Sequence, residues 1–260
     1  MTGEPLSQVP HWPVPGRVRA RMSWRTGGVS RTPWDGLNLG DHVGDDPVAV
    51  AHNRARWAAH LGARPVYLQQ VHGAQLVRLD AASPHGLVAD ACLTRETGLA
   101  CTILVADCLP LLLCDAQGRW VAAAHAGWRG LAGQGGHGVI ESVVAAGLAE
   151  GSAAEDIRVW LGPCIGPAAF EVGPEVREAF MAADAAAALC FVPQGDRFLA
   201  DLPGLARQRL ARLGIRQVHG HDGTPEWCTV TQASRFFSHR RDARILGASG
   251  RLAASIWLQG

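Results

Sequence analysis

The 260-residue sequence contains no lysine; all 24 of its basic side chains other than histidine are arginine. That excludes Schiff-base chemistry on a lysine and the lysine of a phosphate-binding P-loop. A CxxC pair is also missing. The seven cysteines stand at gaps of 9, 7, 6, 50, 26 and 38 residues, so zinc-finger and thioredoxin-type readings fail. An odd number of scattered thiols fits a reducing, cytoplasmic setting. Net charge is only +1, which argues against nucleic-acid and membrane-surface partners, since both usually need a basic excess. The longest apolar stretch, residues 99–114, contains Asp107 and Pro110 and is too short to span a bilayer. The start of the chain has four prolines before Met22 and no apolar h-region, so no secretory leader is expected. No strand pattern is followed by GxGxxG, which removes a dinucleotide-binding domain.

What is present is an ordinary globular composition, 48% apolar, with no repeat and no low-complexity tract. Residues 1–16 read as an irregular, proline-rich arm, and residues 17–260 as one domain. Arg17, Arg19 and Arg21 alternate with Val18, Ala20 and Met22, a period of two that predicts a strand with one basic face. Residues 47–61 read as a helix, with Pro47 in the first turn and Gly62 past the end. Strands are predicted over 66–71, 75–79, 89–94, 100–106, 111–114, 120–125, 157–161, 215–218 and 252–258. Helices are predicted over 139–148, 174–188 and 203–213. Many strands interrupted by single helices predict an α/β (α+β) fold, a mixed sheet flanked by helices.

Three ligand-type side chains share one context. His72, Cys108 and His125 each stand at the carboxyl end of a predicted apolar strand, where the chain enters a turn. Parallel neighbouring strands would gather those ends in one crevice, whereas antiparallel neighbours would scatter them. Two imidazoles and a thiolate make a zinc shell with a fourth position open, the pattern of catalytic sites. Zinc lowers the pKa of bound water to about 7. The spacings match no short motif, so two alternatives stand beside it: a packed core cysteine with hydrogen-bonded histidines, and a metal-free Cys–His nucleophilic pair. Gly127-Trp128-Arg129-Gly130, followed by Gly133, Gly135, Gly136 and Gly138, opens a helix and could receive an anion with help from Arg129. A flexible helix entry is the plainer reading. Arg54 is a second candidate anion contact, off the face formed by His52, Arg56 and His60, which reads as solvated. Arg235, Arg240, Arg241 and Arg244 crowd Phe236 and Phe237 in a late loop, as a phosphate or carboxylate site or a basic surface. The turn Gly162-Pro163-Cys164-Ile165-Gly166-Pro167 suits either close backbone approach to a ligand or plain stiffening.

Taken in order, several motifs carry a resemblance. They are Asn38-Leu39-Gly40, Asn53-Arg54, Gln70-Val71-His72-Gly73, Ala106-Asp107-Cys108-Leu109-Pro110 and Ala124-His125-Ala126-Gly127-Trp128-Arg129-Gly130. The double Gly-Pro turn, Phe170-Glu171-Val172-Gly173 and Phe236-Phe237-Ser238-His239-Arg240-Arg241-Asp242 follow. The sequence resembles the YfiH family, also called the polyphenol oxidoreductase laccase or peptidoglycan editing factor family, from about Arg17 to Leu258. The resemblance implies a zinc site at His72, Cys108 and His125, with copper as an alternative or adventitious metal. It implies phosphorolysis of adenosine, inosine, guanosine and methylthioadenosine, with nucleoside and phosphate as small-molecule partners, and deamination of adenosine to inosine. It also carries two other labels: a peptidoglycan-precursor editing amide hydrolase and a copper-dependent polyphenol oxidoreductase. The family pattern closes on Thr-Gly-Arg; here Ser249-Gly250-Arg251 departs from it, which leaves the role of Arg251 open.

Laccase chemistry needs a blue-copper site and many further histidines, and His219-Gly220-His221 is the only His-x-His pair. Deamination suits zinc, although the cytidine-deaminase signature is absent. Asp107 and Glu171 are the candidate acids, and Arg54 and Arg129 the candidate substrate contacts. A metal-stabilised binding protein without turnover is the non-enzymatic alternative; an open coordination position speaks against it. Either a monomer or a homodimer is compatible with the sequence.

Overall fold

The computed structural model describes residues 6–260. The chain runs through β1 (Ser7–Gln8), β2 (Val18–Ser23), helix α1 (Pro47–Leu61), β3 (Arg64–Gln69), β4 (Leu76–Arg78) and β5 (Leu87–Val88). Next come β6 (Ala91–Thr94), β7 (Leu99–Val105), β8 (Leu109–Asp115), β9 (Val121–Ala126), α2 (Trp128–Ala132) and α3 (Val139–Ala149). The remainder is β10 (Ile157–Leu161), β11 (Glu171–Val172), α4 (Pro174–Met181), β12 (Phe191–Gln194), β13 (Arg197–Ala200), α5 (Leu202–Arg212), β14 (Gln217–Gly220) and β15 (Leu252–Leu258).

The mixed α/β organisation expected from the sequence is present, divided over two six-stranded sheets and a three-stranded one. The first sheet has the order β1-β2-β15-β7-β3-β5, and the second β14-β10-β8-β9-β6-β4. Both are mixed: β3 is parallel to β7, whereas β9 is antiparallel to both β8 and β6. The sheets face each other. Cys101, Ile103 and Val105 from β7 meet Leu112 and Cys114 from β8 and Val121 and Ala123 from β9 in one buried cluster. On the outer side of the first sheet, Ala100 and Leu104 pack with Trp57 and Leu61 of α1. On the outer side of the second, Leu111 and Leu113 pack with Val143 of α3 and Leu205 of α5. Strands covered on both faces have no polar face to show, which is why β7, β8 and β9 read as continuous apolar runs.

Local signals set the element ends. Asp46 caps α1 by accepting from Val48 N at 2.9 Å, Pro47 opens it, and Gly62 closes it at φ 63°. The predicted strand at 111–114 begins earlier, at Leu109. Pro110 is tolerated because it is only the second residue of β8. The predicted helix over 174–188 ends at Met181, because Asp184 turns the chain into a short 3-10 helix, Ala185–Cys190. The hairpin of β12 and β13 escapes the sequence pattern, since Val192, Pro193 and Gln194 are exposed. No described helix is long and apolar enough to cross a membrane.

His221 lies just past β14, fully buried and stacked on Trp227 at 6.0 Å. Burial pushes its pKa down to about 4. Between pH 6.5 and about 4 the unfolded chain therefore binds a proton that the folded chain refuses, and stability falls as pH falls through that window. The slope is up to about 1.4 kcal/mol per pH unit. His221→Phe keeps the stack and is expected to flatten this loss, read by urea unfolding at pH 7 and pH 5. Equal pH sensitivity in the variant would contradict the assignment.

Candidate metal centre

The three ligand-type residues come together, though not as neighbouring parallel strands of one sheet. β3 and β7 are parallel neighbours in the first sheet, and His72 follows β3. After β7 the chain crosses to the second sheet through Asp107 and Cys108. It returns as β8, and β9 runs back antiparallel so that His125 pairs with Pro110. A corner between two sheets thus does what a single parallel sheet was expected to do. Cys108 Sγ lies 3.8 Å from His72 Nε2, and the three donor atoms all fall within 4.8 Å of one another. A tetrahedral zinc with Zn–S about 2.3 Å and Zn–N about 2.1 Å separates sulfur from nitrogen by roughly 3.6 Å. The donor set therefore fits such an ion with small adjustment.

Asp90 fixes this arrangement. It lies in the bend between β5 and β6, and its only mark in the sequence is a lone carboxylate in an apolar stretch. It is fully buried, and its Oδ1 lies 2.8 Å from His125 Nδ1. Oδ1 also accepts from His72 N at 2.9 Å, and Oδ2 accepts from Gly73 N at 2.7 Å and Val71 N at 3.1 Å. One carboxylate thus holds the loop of the first ligand and orients the ring of the third, leaving His125 Nε2 toward the site. The backbone confirms that the corner is forced. His72 (φ 61°) and Asp107 (φ 92°) are the only non-glycine residues with positive φ among those described. Each such residue costs on the order of 1–3 kcal/mol and persists only when its surroundings over-determine it. For His72 the determinant is Asp90. For Asp107 it is Thr229 Oγ1, which donates to Oδ1 at 2.5 Å, and Arg240 N, which donates to Oδ2 at 2.6 Å. The 162–167 turn braces the same corner through Ile165 N, which donates to Asp107 O at 2.9 Å.

Electrostatics couple Cys108 and His125 as a thiolate–imidazolium pair. Burial resists a charge on Cys108, but His125 and His72 overcome it and bring the thiol down to about 6. Burial likewise resists protonation of His125, but the Cys108 thiolate and Asp90 raise it to about 9. The lowered thiol favours the thiolate, the form that binds metals, while the proton favoured on His125 has to leave before its Nε2 can ligate.

Gly127 leaves room for the centre. A Cβ there would lie 2.7 Å from His72 Cδ2 and 3.1 Å from Cys108 Sγ. Its φ of −67° suits any residue, so the need for glycine is spatial. Gly127→Ala is expected to lower zinc occupancy severalfold by displacing two ligands while the fold survives. Metal analysis with circular dichroism checks it, and full occupancy would contradict the crowding.

The trio lines a cavity of about 370 Å³ with His42, Gln70, Asp107, Phe170, Arg240 and Arg251 among its walls. A larger cavity, about 600 Å³, shares His72 and is lined by Trp128, Arg129, Gln134 and His137. A third, about 440 Å³, shares His42 and Gln70 and contains Arg54, Tyr67 and His85. Arg129 and Arg54 therefore sit in flanking cavities. Arg129 stacks on Trp128 at 4.3 Å. Arg54 is engaged by Asp41 at 2.9 Å, by Leu39 O, and by the Tyr67 ring at 4.1 Å. The glycine-rich stretch is held rather than loose. Arg209 donates to Leu131 O, Ala132 O and Gly136 O, and Glu141 already accepts from Gly138 N at the start of α3. Of the late arginines, Arg240 reaches the cavity wall, while Arg241 is spent on Thr229 O, Val230 O, Phe236 O and Asp242. Glu171 pairs with Arg197 at 3.6 Å and is not part of the cavity wall. His52, Arg56 and His60 are exposed along α1, as expected.

Comparison with known proteins places this geometry. The pattern of a family described as multi-copper polyphenol oxidoreductase laccase matches residues 19–259. The chain belongs to this family, which includes the YfiH proteins. It is 50% identical to a purine nucleoside phosphorylase of Pseudomonas aeruginosa, over 96% of this chain and 97% of that one. It is 49% identical to purine nucleoside phosphorylase YfiH of Escherichia coli, over 96% and 98%. The crystal structure of a Neisseria meningitidis protein superimposes with a TM-score of 0.90 at 42% identity, covering 98% of this chain and all of that one. A Bacillus licheniformis YfiH structure gives 0.85 at 28%, over 93% of each. The YfiH-like segments 70–73, 106–110 and 124–130 are the three that build the candidate centre.

Proposed function

We propose that this chain is a zinc-dependent purine nucleoside phosphorylase with His72, Cys108 and His125 as metal ligands, and that it also deaminates adenosine. Two observations carry the reading together: half-identity across nearly the whole chain to proteins named purine nucleoside phosphorylases, and one His/Cys/His cluster in a cavity of small-molecule size. Adenosine, inosine, guanosine and methylthioadenosine are the nucleosides it would accept.

Zinc bound there supplies a Lewis acid with an open coordination position. The protein's own groups do the rest. Asp90 holds His125 in the tautomer that presents Nε2. Thr229 and Arg240 N hold the corner that carries Cys108. Arg240 and Arg251 make the wall electropositive, which suits an anionic co-substrate and the charge that builds during glycosidic cleavage. Arg129 and Arg54, in the flanking cavities, contact the parts of the nucleoside that extend beyond the metal cavity.

A multi-copper reading finds less support. His72, Cys108 and His125 are the one such ligand cluster among the described residues. The His-x-His pair stands apart from this cluster and from the cavity it lines, and His221 is held by Gly223 N, which donates to its Nδ1, and by the Trp227 ring. The test is to incubate the zinc-loaded protein with adenosine, with and without phosphate, and separate the products. Adenine and ribose 1-phosphate only with phosphate, and inosine with or without it, are expected. A zinc-loaded protein yielding no nucleoside product would overturn the proposal.

A further inference from the structure

The wall of the metal cavity holds an arginine with no carboxylate in ion-pair contact, although the charges of Cys108 and Asp107 in the same cavity act on it. Arg251 lies in the same cavity as His72, Cys108 and His125 and is half-buried. Some partly buried arginines have carboxylates, as Arg209 has Glu141, Arg54 has Asp41 and Arg241 has Asp242; others, such as Arg207, are engaged by backbone carbonyls instead. No described carboxylate lies within 4.0 Å of Arg251. Its Nη1 donates to Ser249 O at 2.9 Å and Gly250 O at 3.2 Å. Nε and Nη2 have no protein acceptor among the described residues, and together they form the edge that grips an oxyanion with two parallel hydrogen bonds. A half-buried guanidinium with one free edge facing a cavity gains from a bound anion.

The position is built, not incidental. Asn38 Oδ1 accepts from Arg251 N at 2.8 Å and from Gly40 N at 3.0 Å. Leu39 N donates to Arg251 O at 3.1 Å. A Cβ on Gly40 would lie 2.7 Å from Arg251 Cγ, so the 38–40 segment is shaped to let the side chain pass. Arg240 and His42 stand in the same wall; Arg240 Nη1 and Nη2 also donate to Glu171 O at 3.2 and 3.1 Å, so it adds charge more than free donors. The wall's carboxylate, Asp107, accepts from Thr229 and Arg240 N and makes no ion-pair contact with Arg251, though its charge reaches it.

We propose that Arg251, with Arg240 and His42 beside it, forms the subsite for a tetrahedral oxyanion, inorganic phosphate, in the metal cavity. The assignment of that anion as co-substrate rests on the phosphorylase reading, whereas its binding does not. The subsite explains why Arg54 and Arg129, the arginines that stood out in the sequence, are not needed for it: both lie outside this cavity.

The test is calorimetric titration of the zinc-loaded full-length protein with inorganic phosphate, acetate and ribose 1-phosphate, with zinc content measured alongside. Phosphate is expected to bind at least tenfold more tightly than acetate, and ribose 1-phosphate to compete with it. Arg251→Gln is expected to lose phosphate binding by thirtyfold or more with zinc retained. Arg251→Lys keeps the charge without the fork and should fall between. His42→Ala, at an exposed position with little folding risk, should weaken binding a few-fold. Wild-type phosphate affinity in Arg251→Gln would overturn the subsite, as would failure of the wild-type protein to bind phosphate. Zinc lost in step with phosphate in both Arg251 variants would also overturn it, making Arg251 a counter-charge for Cys108. Phosphorolysis that survives Arg251→Gln with an unchanged KM for phosphate sinks the subsite and leaves the phosphorylase standing. Phosphate binding lost in Arg251→Gln of a protein that cleaves no nucleoside does the reverse.

Discussion

Cys108→Ala is expected to strip the metal from the protein and abolish turnover while leaving the fold in place. The sulfur is the one anionic ligand of the trio, and its loss leaves two imidazoles that no longer close a three-point site. The loss of affinity should exceed the roughly 10–100-fold that accompanies removal of an outer partner of a ligand. Structural damage should be small, because Cys108 is only half-buried and Thr229 and Arg240 N hold the corner through the neighbouring Asp107. Zinc per chain, circular dichroism and product formation read the three consequences separately. Unfolding of the variant would mean that the metal holds the fold together. Unchanged turnover without metal would point instead to chemistry that needs neither.

Asp90→Asn is the second large effect, and it damages the centre without touching a ligand. Each carboxylate oxygen accepts two hydrogen bonds: Oδ1 from His72 N and His125 Nδ1, and Oδ2 from Val71 N and Gly73 N. An amide supplies one acceptor, so its NH₂ must face two N–H donors in either orientation. If it faces Val71 and Gly73, the His72 loop loses its anchor and the positive φ there is no longer supported. If it faces His125, the ring relieves the clash by moving its proton to Nε2, the atom needed for the metal. Either way zinc affinity should drop by about 10–100-fold. Stability should fall by roughly 3 kcal/mol, from buried donors left unmatched. Zinc titration and urea unfolding measure the two losses. A variant with native zinc affinity would remove Asp90 from its positioning role.

The grouping of His72, Cys108 and His125 was legible because three predicted strand ends broke into turns there. How they meet was not. Residues 99–114 are apolar on both faces, so no period of two shows that β7 and β8 belong to different sheets, joined by the corner at Asp107. Asp90 stayed hidden for a related reason: a hydrogen bond from position 90 to position 125 leaves no mark in spacing. The adjacent Arg240 and Arg241 show the limit for charge. Nothing in the sequence separates them, yet Arg240 lines the cavity while donating to Glu171 O, and Arg241 lies outside it, bound to Thr229 O, Val230 O and Phe236 O. Helix ends were the most readable features, because Asp46, Pro47 and Gly62 act on their own neighbours.

The measurement that bears most directly on the centre is metal content with X-ray absorption at the zinc and copper edges, on wild-type protein and Cys108→Ala. About one zinc per chain is expected, bound by one sulfur and two imidazole nitrogens, with the signal lost in the variant. A folded wild-type protein without metal, a multinuclear copper signal, or zinc retained in full by Cys108→Ala would contradict the assignment of His72, Cys108 and His125.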